Sequence, residues 1–286
     1  MKILIVGDRL SSLNPALDSS LFIAQEFLRS GHEVVWTEEE KLSFLGTSVE
    51  VSGSVLYPWE GSQLPPVKDE IRKTFSSFDF CMIRKDPPFN ESYLRLCWLL
   101  APYEKKVLCV NRPSTLTRYH EKMLPVEAVE SGFLAHDDLI PMLQARRDEE
   151  LQEFLHRFPS THYVVKPWLG YQGHRVQLLS LEEIKKFSLT TGENSIVQVF
   201  APEIREKGDR RVLFYKGQMV GHFVRMPKDG DFVSNTAQGG GVTHRDLSKD
   251  EQKIIWKIEK FLQTVGIDFA GADLIGSRLS EINVTS

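Results

Sequence analysis

Apolar positions in the first part of the chain come in short runs set between turn residues and amphipathic stretches. Ile3–Val6, Glu33–Trp36, Asp79–Ile83 and Lys106–Val110 read as strands. After the first of them, Asp18 can cap a helix that runs to Ser30, with Gly31 as its stop signal. A second amphipathic helix, over about 91–101, separates the last two strands. This alternation predicts an α/β domain with a parallel, Rossmann-like sheet whose ligand edge lies at the strands' carboxyl ends. The first turn offers only Gly7 and no G-x-G-x-x-G, so a dinucleotide is not expected there. The stretch from Tyr57 to Val67, with Pro58, Pro65 and Pro66, reads as a loop.

Around Tyr119 the pattern changes. Tyr163–Lys166, Arg175–Leu179, Ser195–Phe200, Arg211–Tyr215 and Met219–Met226 read as strands in hairpin-like succession. Helices at about 181–188 and 249–265 punctuate them. Each opens on a capping box, Ser180 with Glu183 and Ser248 with Glu251. The longer helix gathers Ile254, Ile258, Phe261, Leu262 and Val265 on one face and ends at Gly266. This half is predicted to be α+β.

The last strands carry the most specific pattern. Glu281 and Asn283 are two apart, so on a strand they share a face, while Ile282 and Val284 take the other. Ala270–Ile275 reads as the partner strand. A three-residue loop, Gly276-Ser277-Arg278, would set Asp273 opposite Glu281 and Ala272 beside Ile282. Two carboxylates and an amide oxygen then converge as hard ligands for a divalent cation such as Mg²⁺. A hairpin with one solvated face suits the same residues.

Composition narrows the class. Hydrophobic residues make up 41% and charged residues 26% of the 286, an ordinary globular balance, and a net charge of −4 gives no bulk attraction to nucleic acid or anionic membrane. The basic pairs Arg146-Arg147 and Arg210-Arg211 sit among acids and read as solvated or substrate-directed. Cys81, Cys97 and Cys109 show no C-x-x-C spacing and leave an odd count, and Cys81 and Cys109, in apolar strand-like runs, suit buried reduced thiols. No signal peptide and no membrane span are expected, and a reducing cytoplasm fits best. There is no P-loop, no G-x-S-x-G and no H-x-x-x-H, so a Walker-type ATP site and a zinc site are not expected.

What chemistry remains is distributed. Lys166 ends an apolar strand before Pro167 and the glycine-bearing turn through Gly170 and Gly173, where an ammonium and close backbone amides can meet phosphates; an ordinary exposed lysine is the alternative. Gln198, Val199, Phe200 and Ala201 end another apolar strand whose edge can offer backbone groups to an adenine ring, or simply run into a loop. The segment 229–242, with Gly239, Gly240 and Gly241, suits a lid or a plain connector. Arg84-Lys85-Asp86-Pro87-Pro88-Phe89 follows a strand at its carboxyl end, where ligands bind in open α/β sheets.

Taken together, Arg84–Phe89, Asn111-Arg112-Pro113 with Glu121-Lys122, Lys166-Pro167, Gly208-Asp209-Arg210-Arg211-Val212, and Asp273 with Glu281-Ile282-Asn283-Val284-Thr285-Ser286 resemble the bacterial glutathione synthetases, members of the ATP-grasp superfamily. The resemblance implies a Rossmann-like peptide-substrate domain over 1–119 and an ATP-grasp domain over 120–286, with lobes of about 120–200 and 201–286. It implies that Lys122, Lys166, Gly170, Gly173, Gln198, Val199, Phe200, Ala201 and Asp209 bind ATP. It places Asp273, Glu281 and Asn283 on two Mg²⁺ ions, with Mn²⁺ as a substitute. Arg211 and Arg225 would act on the reacting carboxylate and γ-phosphate, and Ser20, Arg84 and Asn235 would bind substrate. The activity implied is ATP-dependent ligation of glycine to γ-glutamylcysteine, in a homo-oligomer. Another ATP-grasp amino-acid ligase, or a non-catalytic relative, is the alternative. The chain departs from the family's pattern at Tyr171-Gln172, and at Val233 and Gly241, where the family carries arginines. The family pattern also continues beyond Ser286.

Overall fold

A computed structural model describes residues 1–170, 175–190, 194–228, 231–232 and 241–285. They form two compact units, Met1–Tyr119 with Val284 and Thr285, and His120–Asn283.

The first unit is a seven-stranded sheet flanked by helices. In chain order it runs β1 (Lys2–Gly7), α1 (Ser19–Arg29), β2 (Glu33–Thr37), β3 (Leu42–Leu45), β4 (Ser48–Leu56), β5 (Val67–Thr74), β6 (Phe80–Arg84), α2 (Glu91–Leu100), β7 (Leu108–Val110) and α3 (Pro113–Arg118). The four strands expected from the apolar runs lie side by side and parallel, in the order β2-β1-β6-β7. The sheet as a whole is mixed, not parallel throughout, because β4 pairs antiparallel with β2, β3 and β5. Of these, β5 (Val-Lys-Asp-Glu-Ile-Arg-Lys-Thr) escapes an apolar-run reading for a physical reason: most of its residues are exposed and most are charged, which protects an edge strand from pairing with other chains. Ile3, Ile5, Leu21, Ala24, Val34, Trp36 and Leu56 pack as one core between α1 and the sheet. Gly7 is glycine because a Cβ there would lie 2.3 Å from the Trp36 ring. Packing, not cofactor approach, explains that residue. Asp18 caps α1 by accepting from the amides of Ser20 and Leu21, an arrangement worth about 1 kcal/mol.

The second unit carries two sheets. It runs α4 (Leu124–Glu130), β8 (Met142–Gln144), α5 (Asp148–Arg157), β9 (His162–Pro167), β10 (Gln177–Ser180), α6 (Leu181–Ile184), β11 (Ser195–Val199), α7 (Ile204–Lys207), β12 (Asp209–Tyr215), β13 (Gln218–Met226), β14 (Gly241–Thr243), α8 (Lys249–Val265), β15 (Phe269–Ile275) and β16 (Arg278–Asn283). The first sheet has the order β10-β9-β11-β8 and the second β14-β13-β12-β15-β16, with all pairings antiparallel. The helix expected over 181–188 stops after one turn at Ile184, because Ser188 and the Leu189 amide turn away to bond the Asp148 carboxylate. α8 has the expected bounds, both capping-box bonds, and Gly266 in the left-handed region at φ 71°. Among the described residues no helix is long and apolar enough to cross a membrane.

Candidate active site

The second sheet of the second unit assembles a row of charges by register alone. Asp273 on β15 stands opposite Glu281 on β16 and, across its other edge, opposite Arg211 on β12. Asp209, two residues before Arg211 and so on the same face, stands opposite Arg225 on β13. Asn283 shares the face of Glu281 for the same reason. The turn joining β15 to β16 differs from the expected one in a telling way. It has two residues, Gly276 and Ser277, both at positive φ (56° and 64°), and Ile275 pairs with Arg278. A bulge at Ser280 then restores the missing residue and brings Glu281 opposite Asp273 after all. The bulged Ser280 bonds Gln198 through its hydroxyl and its carbonyl, each at 3.4 Å.

Asp273 is gripped by two arginines. Arg211 donates to it bidentately, Nε at 2.5 Å and Nη2 at 3.0 Å, and Arg225 Nη2 lies at 2.9 Å. Burial works against its charge, but Arg211 and Arg225 hold its carboxyl below the usual range. Asn283 donates through Nδ2 to the same carboxylate at 3.1 Å, which leaves its amide oxygen as the ligand atom. Gly271 makes room for this grip: a Cβ there would lie 3.1 Å from Arg211. Arg225 also bonds Asp209. Burial and the neighbouring Asp273 push the Asp209 carboxyl up to about 6 in spite of both arginines.

Glu281 answers to lysines. Lys122 Nζ lies 2.6 Å from it and 3.3 Å from Glu121. Burial opposes the Glu281 charge, yet Lys166 and Lys122 hold its carboxyl down to about 2. Lys166 is half-buried rather than the exposed lysine its position allowed, and its Nζ donates to Gln198 at 3.4 Å. Burial, with Lys122 close by, lowers its pKa against the pull of Glu281. Lys122 goes the other way: Glu281 and Glu121 outweigh its burial and raise it. His120, stacked on Trp168, is driven down to about 4 by burial and by Lys122 and is neutral at pH 7.

The donor set fits a hard divalent cation. Asp273 and Glu281 are the one directly opposed like-charge pair in the row, which is destabilising in itself, and both are ionised at neutral pH. With the Asn283 oxygen they present two carboxylates and an amide, and cations surround them on three sides. Among the described residues no group of three or more His, Cys, Asp and Glu gathers here or elsewhere, so the donor set is these two carboxylates and the amide.

Of the other expected residues, Gln198 is buried, and the amides of Val199 and Phe200 are taken by Pro141 and His162. The backbone donor remaining at that strand end is Ala201. Gly170 closes a tight turn onto the Pro167 carbonyl at 3.1 Å. Gly173 and Asn235 lie outside the described residues, as do 229–230 and 233–240 of the segment 229–242. In the first unit Arg84 is buried and donates to Ser20 at 3.0 Å and Ser19 at 2.9 Å at the start of α1. Lys85 sits 3.4 Å from Asp8, whose other oxygen accepts the Asp86 amide. A cavity of about 240 Å³ opens there, at the carboxyl ends of β1, β2 and β6, lined by Gly7, Asp8, Arg9, Ser12, Glu38, Glu40 and Lys85. Asp8, Glu38 and Glu40 carried no signal in sequence, since single acids after strands are common.

Comparison with known proteins agrees with this geometry. Two family models match in tandem: the N-terminal domain of prokaryotic glutathione synthetase over residues 1–117, and its ATP-grasp domain over residues 133–286. The chain belongs to the prokaryotic glutathione synthetase family. Among curated members, the glutathione synthetase of Prochlorococcus marinus subsp. pastoris is 33% identical over 296 residues, covering 100% of this chain and 91% of that protein. The Vibrio cholerae glutathione synthetase is 30% identical, covering 100% and 90%. Solved structures share the fold at low identity. The D-cycloserine synthetase DcsG superposes with a TM-score of 0.66 at 16% identity, over 99% of this chain and 92% of that one. The macrocyclase MdnC of Microcystis aeruginosa, bound with its precursor peptide, reaches 0.65 at 14%, over 100% and 92%.

Within this family member the basic pair Arg210-Arg211 divides its labour, contrary to a solvated reading. Adjacent strand positions face opposite ways. Arg211 reaches Asp273, while Arg210 is only 1% exposed and is held by Glu251 at 2.7 Å, His222 at 3.0 Å and the carbonyls of Arg245 and Asp246. Gly208 before them has φ 70° and ψ −172°, and a Cβ there would lie 2.6 Å from the Arg225 carbonyl. Only glycine lets Asp209 and Arg225 meet.

Proposed function

We infer that the chain is an ATP-dependent carbon–nitrogen ligase of glutathione synthase type, joining glycine to γ-glutamylcysteine. The observation that carries this reading is the convergence of Lys122, Lys166, Arg211 and Arg225 on the two carboxylates Asp273 and Glu281. Such a site binds polyanions and stabilises negative charge that develops during transfer.

The assignments that follow belong to that reading. Residues 120–200 and 201–286 are the two lobes of the ATP-grasp domain, and residues 1–119 are a Rossmann-like substrate domain. Lys122 and Lys166 hold the triphosphate. The strand end Gln198–Ala201 faces adenine, with the Ala201 amide as the donor left to it, and Asp209 lies toward the ribose. Asp273, Glu281 and the Asn283 oxygen would hold two Mg²⁺, with Mn²⁺ as a substitute, and the bound cations would supply positive charge to the phosphoryl oxygens. Arg84 and Ser20 orient the peptide.

The cysteinyl carboxylate oxygen of the dipeptide attacks the γ-phosphorus, the bond to the bridging β,γ-oxygen breaks, and ADP leaves. Arg211 and Arg225 draw on their bonds to Asp273 to neutralise the carboxylate and then the transferred phosphoryl group. Glycine's neutral amine attacks the acyl phosphate carbonyl, phosphate departs, and the amine proton is released. Aligning three substrates removes an entropic barrier of up to about 7–11 kcal/mol. Because an acyl phosphate hydrolyses in water, the reading requires that water be excluded from the site during transfer. The setting is the cytoplasm, in keeping with three buried cysteines, and the assembly is a homo-oligomer.

The test is phosphate release by the full chain with ATP, Mg²⁺, γ-glutamylcysteine and glycine, each omitted in turn, with the product weighed by mass spectrometry. Glutathione formed only when all four are present is expected. Release without the peptide, or with free glutamate in its place, overturns the reading.

A further inference from the structure

We propose that the stacked pair His120–Trp168 is a positioning clamp that sets the separation of Lys122 and Lys166, and thereby the enzyme's hold on the triphosphate. The proposal rests on the reading that these lysines bind ATP. The rings lie face to face, with centroids 4.3 Å apart and planes within 14°.

Each ring is tied to one lysine's backbone. His120 Nδ1 accepts the Lys122 amide at 3.3 Å, and the His120 carbonyl accepts the amides of Met123 and Leu124 at 2.8 and 3.1 Å. The imidazole plane is thus referenced to the turn that carries Lys122. Trp168 stands two residues after Lys166, and its amide bonds the Asn194 carbonyl at 2.7 Å, just before β11. The indole plane is thus referenced to the end of β9.

Nothing in the sheet does this job. Lys166 sits on a paired strand, but Lys122 belongs to no strand and precedes α4. Both ammonium groups are drawn to Glu281, on a third element, and as like charges they repel each other. When a phosphate competes for them, attraction to Glu281 no longer fixes their spacing. A stacked ring pair does, because its contact is independent of what the ammonium groups bind. A site held to within a fraction of an ångström by such support loses affinity when the support is cut away.

In this proposal both rings act through the lysines. The experiment compares Trp168→Ala, His120→Ala, the double variant and Trp168→Phe in the full chain. KM for ATP is expected to rise about three- to tenfold in each alanine variant, the scale of one stacked contact. KM for the dipeptide and for glycine should stay within about twofold. The double variant should match His120→Ala, since once the imidazole is gone Trp168→Ala has no stacked contact left to remove. Phenylalanine keeps a ring face and should restore ATP affinity to within about twofold. An unchanged KM for ATP, multiplying effects in the double variant, or a parallel rise of all three KM values overturns the clamp. If an alanine variant fails to fold, His120→Leu, which keeps bulk without a π face, gives the same readout. Calorimetric ATP binding separates the two layers: a parent that does not bind ATP sinks the functional reading as well, while a parent and a Trp168→Ala variant that bind equally sink the clamp alone.

Discussion

Replacing Glu281 with glutamine removes one negative charge without changing shape, and its cost can be worked from the side chains around it. The Glu281 carboxyl sits at about 2 instead of 4.5 because Lys166 and Lys122 outweigh its burial. A folded-state value below the unfolded one means the charge stabilises the fold above pH 4.5, and that this contribution is lost as the pH falls toward 2. The gap is worth about 3 kcal/mol. The substitution discards that stabilisation and leaves Lys122, whose side chain is 5% exposed, with Glu121 at 3.3 Å as its other acid, so the cost stays at about 3 kcal/mol. At roughly 2–4 °C per kcal/mol for a chain of this size, the second unit should melt about 6–12 °C lower at pH 7.5. ATP offers phosphates to the two lysines and should narrow the difference. Acid unfolding of the parent should show a loss between pH 4.5 and 2 that the variant lacks. Turnover should fall at least about a hundredfold, with KM for the dipeptide within twofold. Scanning calorimetry with and without ATP, and phosphate release, read these outcomes. A variant that melts within about a degree of the parent, with or without ATP, would refute the charge argument.

Three further perturbations test separate parts of the site. Asp209 titrates the opposite way: its raised carboxyl, at about 6, costs the fold as it ionises, so its contribution is full below about pH 3.8 and lost as the pH rises through 6. Asp209→Asn should therefore flatten urea-unfolding stability between pH 4.5 and 7 by up to about 2 kcal/mol, and an unchanged slope would count against that assignment. Gly208→Ala forces a Cβ to within 2.6 Å of the Arg225 carbonyl at a φ of 70°, and should cost about 2–4 kcal/mol in unfolding while lowering activity. Arg84→Lys keeps the charge but loses the fork that meets Ser19 and Ser20; KM for γ-glutamylcysteine should rise about tenfold with KM for ATP unmoved, in steady-state kinetics that vary each substrate in turn.

Local patterns told most about the fold. The capping boxes at Ser180 and Ser248, the Asp18 cap and the apolar face of α8 depend on residues three or four apart, and sequence displays that spacing directly. Strand β5 stayed hidden because an exposed, charged antiparallel edge lacks the apolar run that marks a buried strand, and β3 and β4 because serine, glutamate and glycine interrupt their apolar positions. The early end of α6 stayed hidden because the groups that end it, Ser188 and Asp148, are 40 residues apart. The same distance limit hid the stacked His120 and Trp168, and the buried network that claims Arg210. Strand period alone could have separated Arg210 from Arg211; the basic run invited a reading as a unit, and β12 shows two faces.

The terminal hairpin shows how a correct pairing can follow from an incorrect turn. A three-residue loop with regular pairing and a two-residue loop with one bulged residue both set Asp273 opposite Glu281, so the register could not tell them apart. The difference matters for chemistry. In the bulged form Ser280 is extruded toward Gln198, which couples the strand end expected to face adenine to the carboxylate pair. In the regular form Ser280 would have paired with Leu274 and left Gln198 with Lys166 alone. Across the sheet, each acid except one stands opposite or beside an arginine: Asp209 meets Arg225 and Asp273 meets Arg211. Glu281 is the exception, an acid directly opposite another acid, and its compensation comes from Lys122 and Lys166 on different elements. A sheet that only needed stability would avoid that opposition by placing a cation or an apolar residue at 281. Retaining it makes sense where two carboxylates must face the same small volume, and the lysines that relieve it are the groups through which a triphosphate would be drawn to the same place.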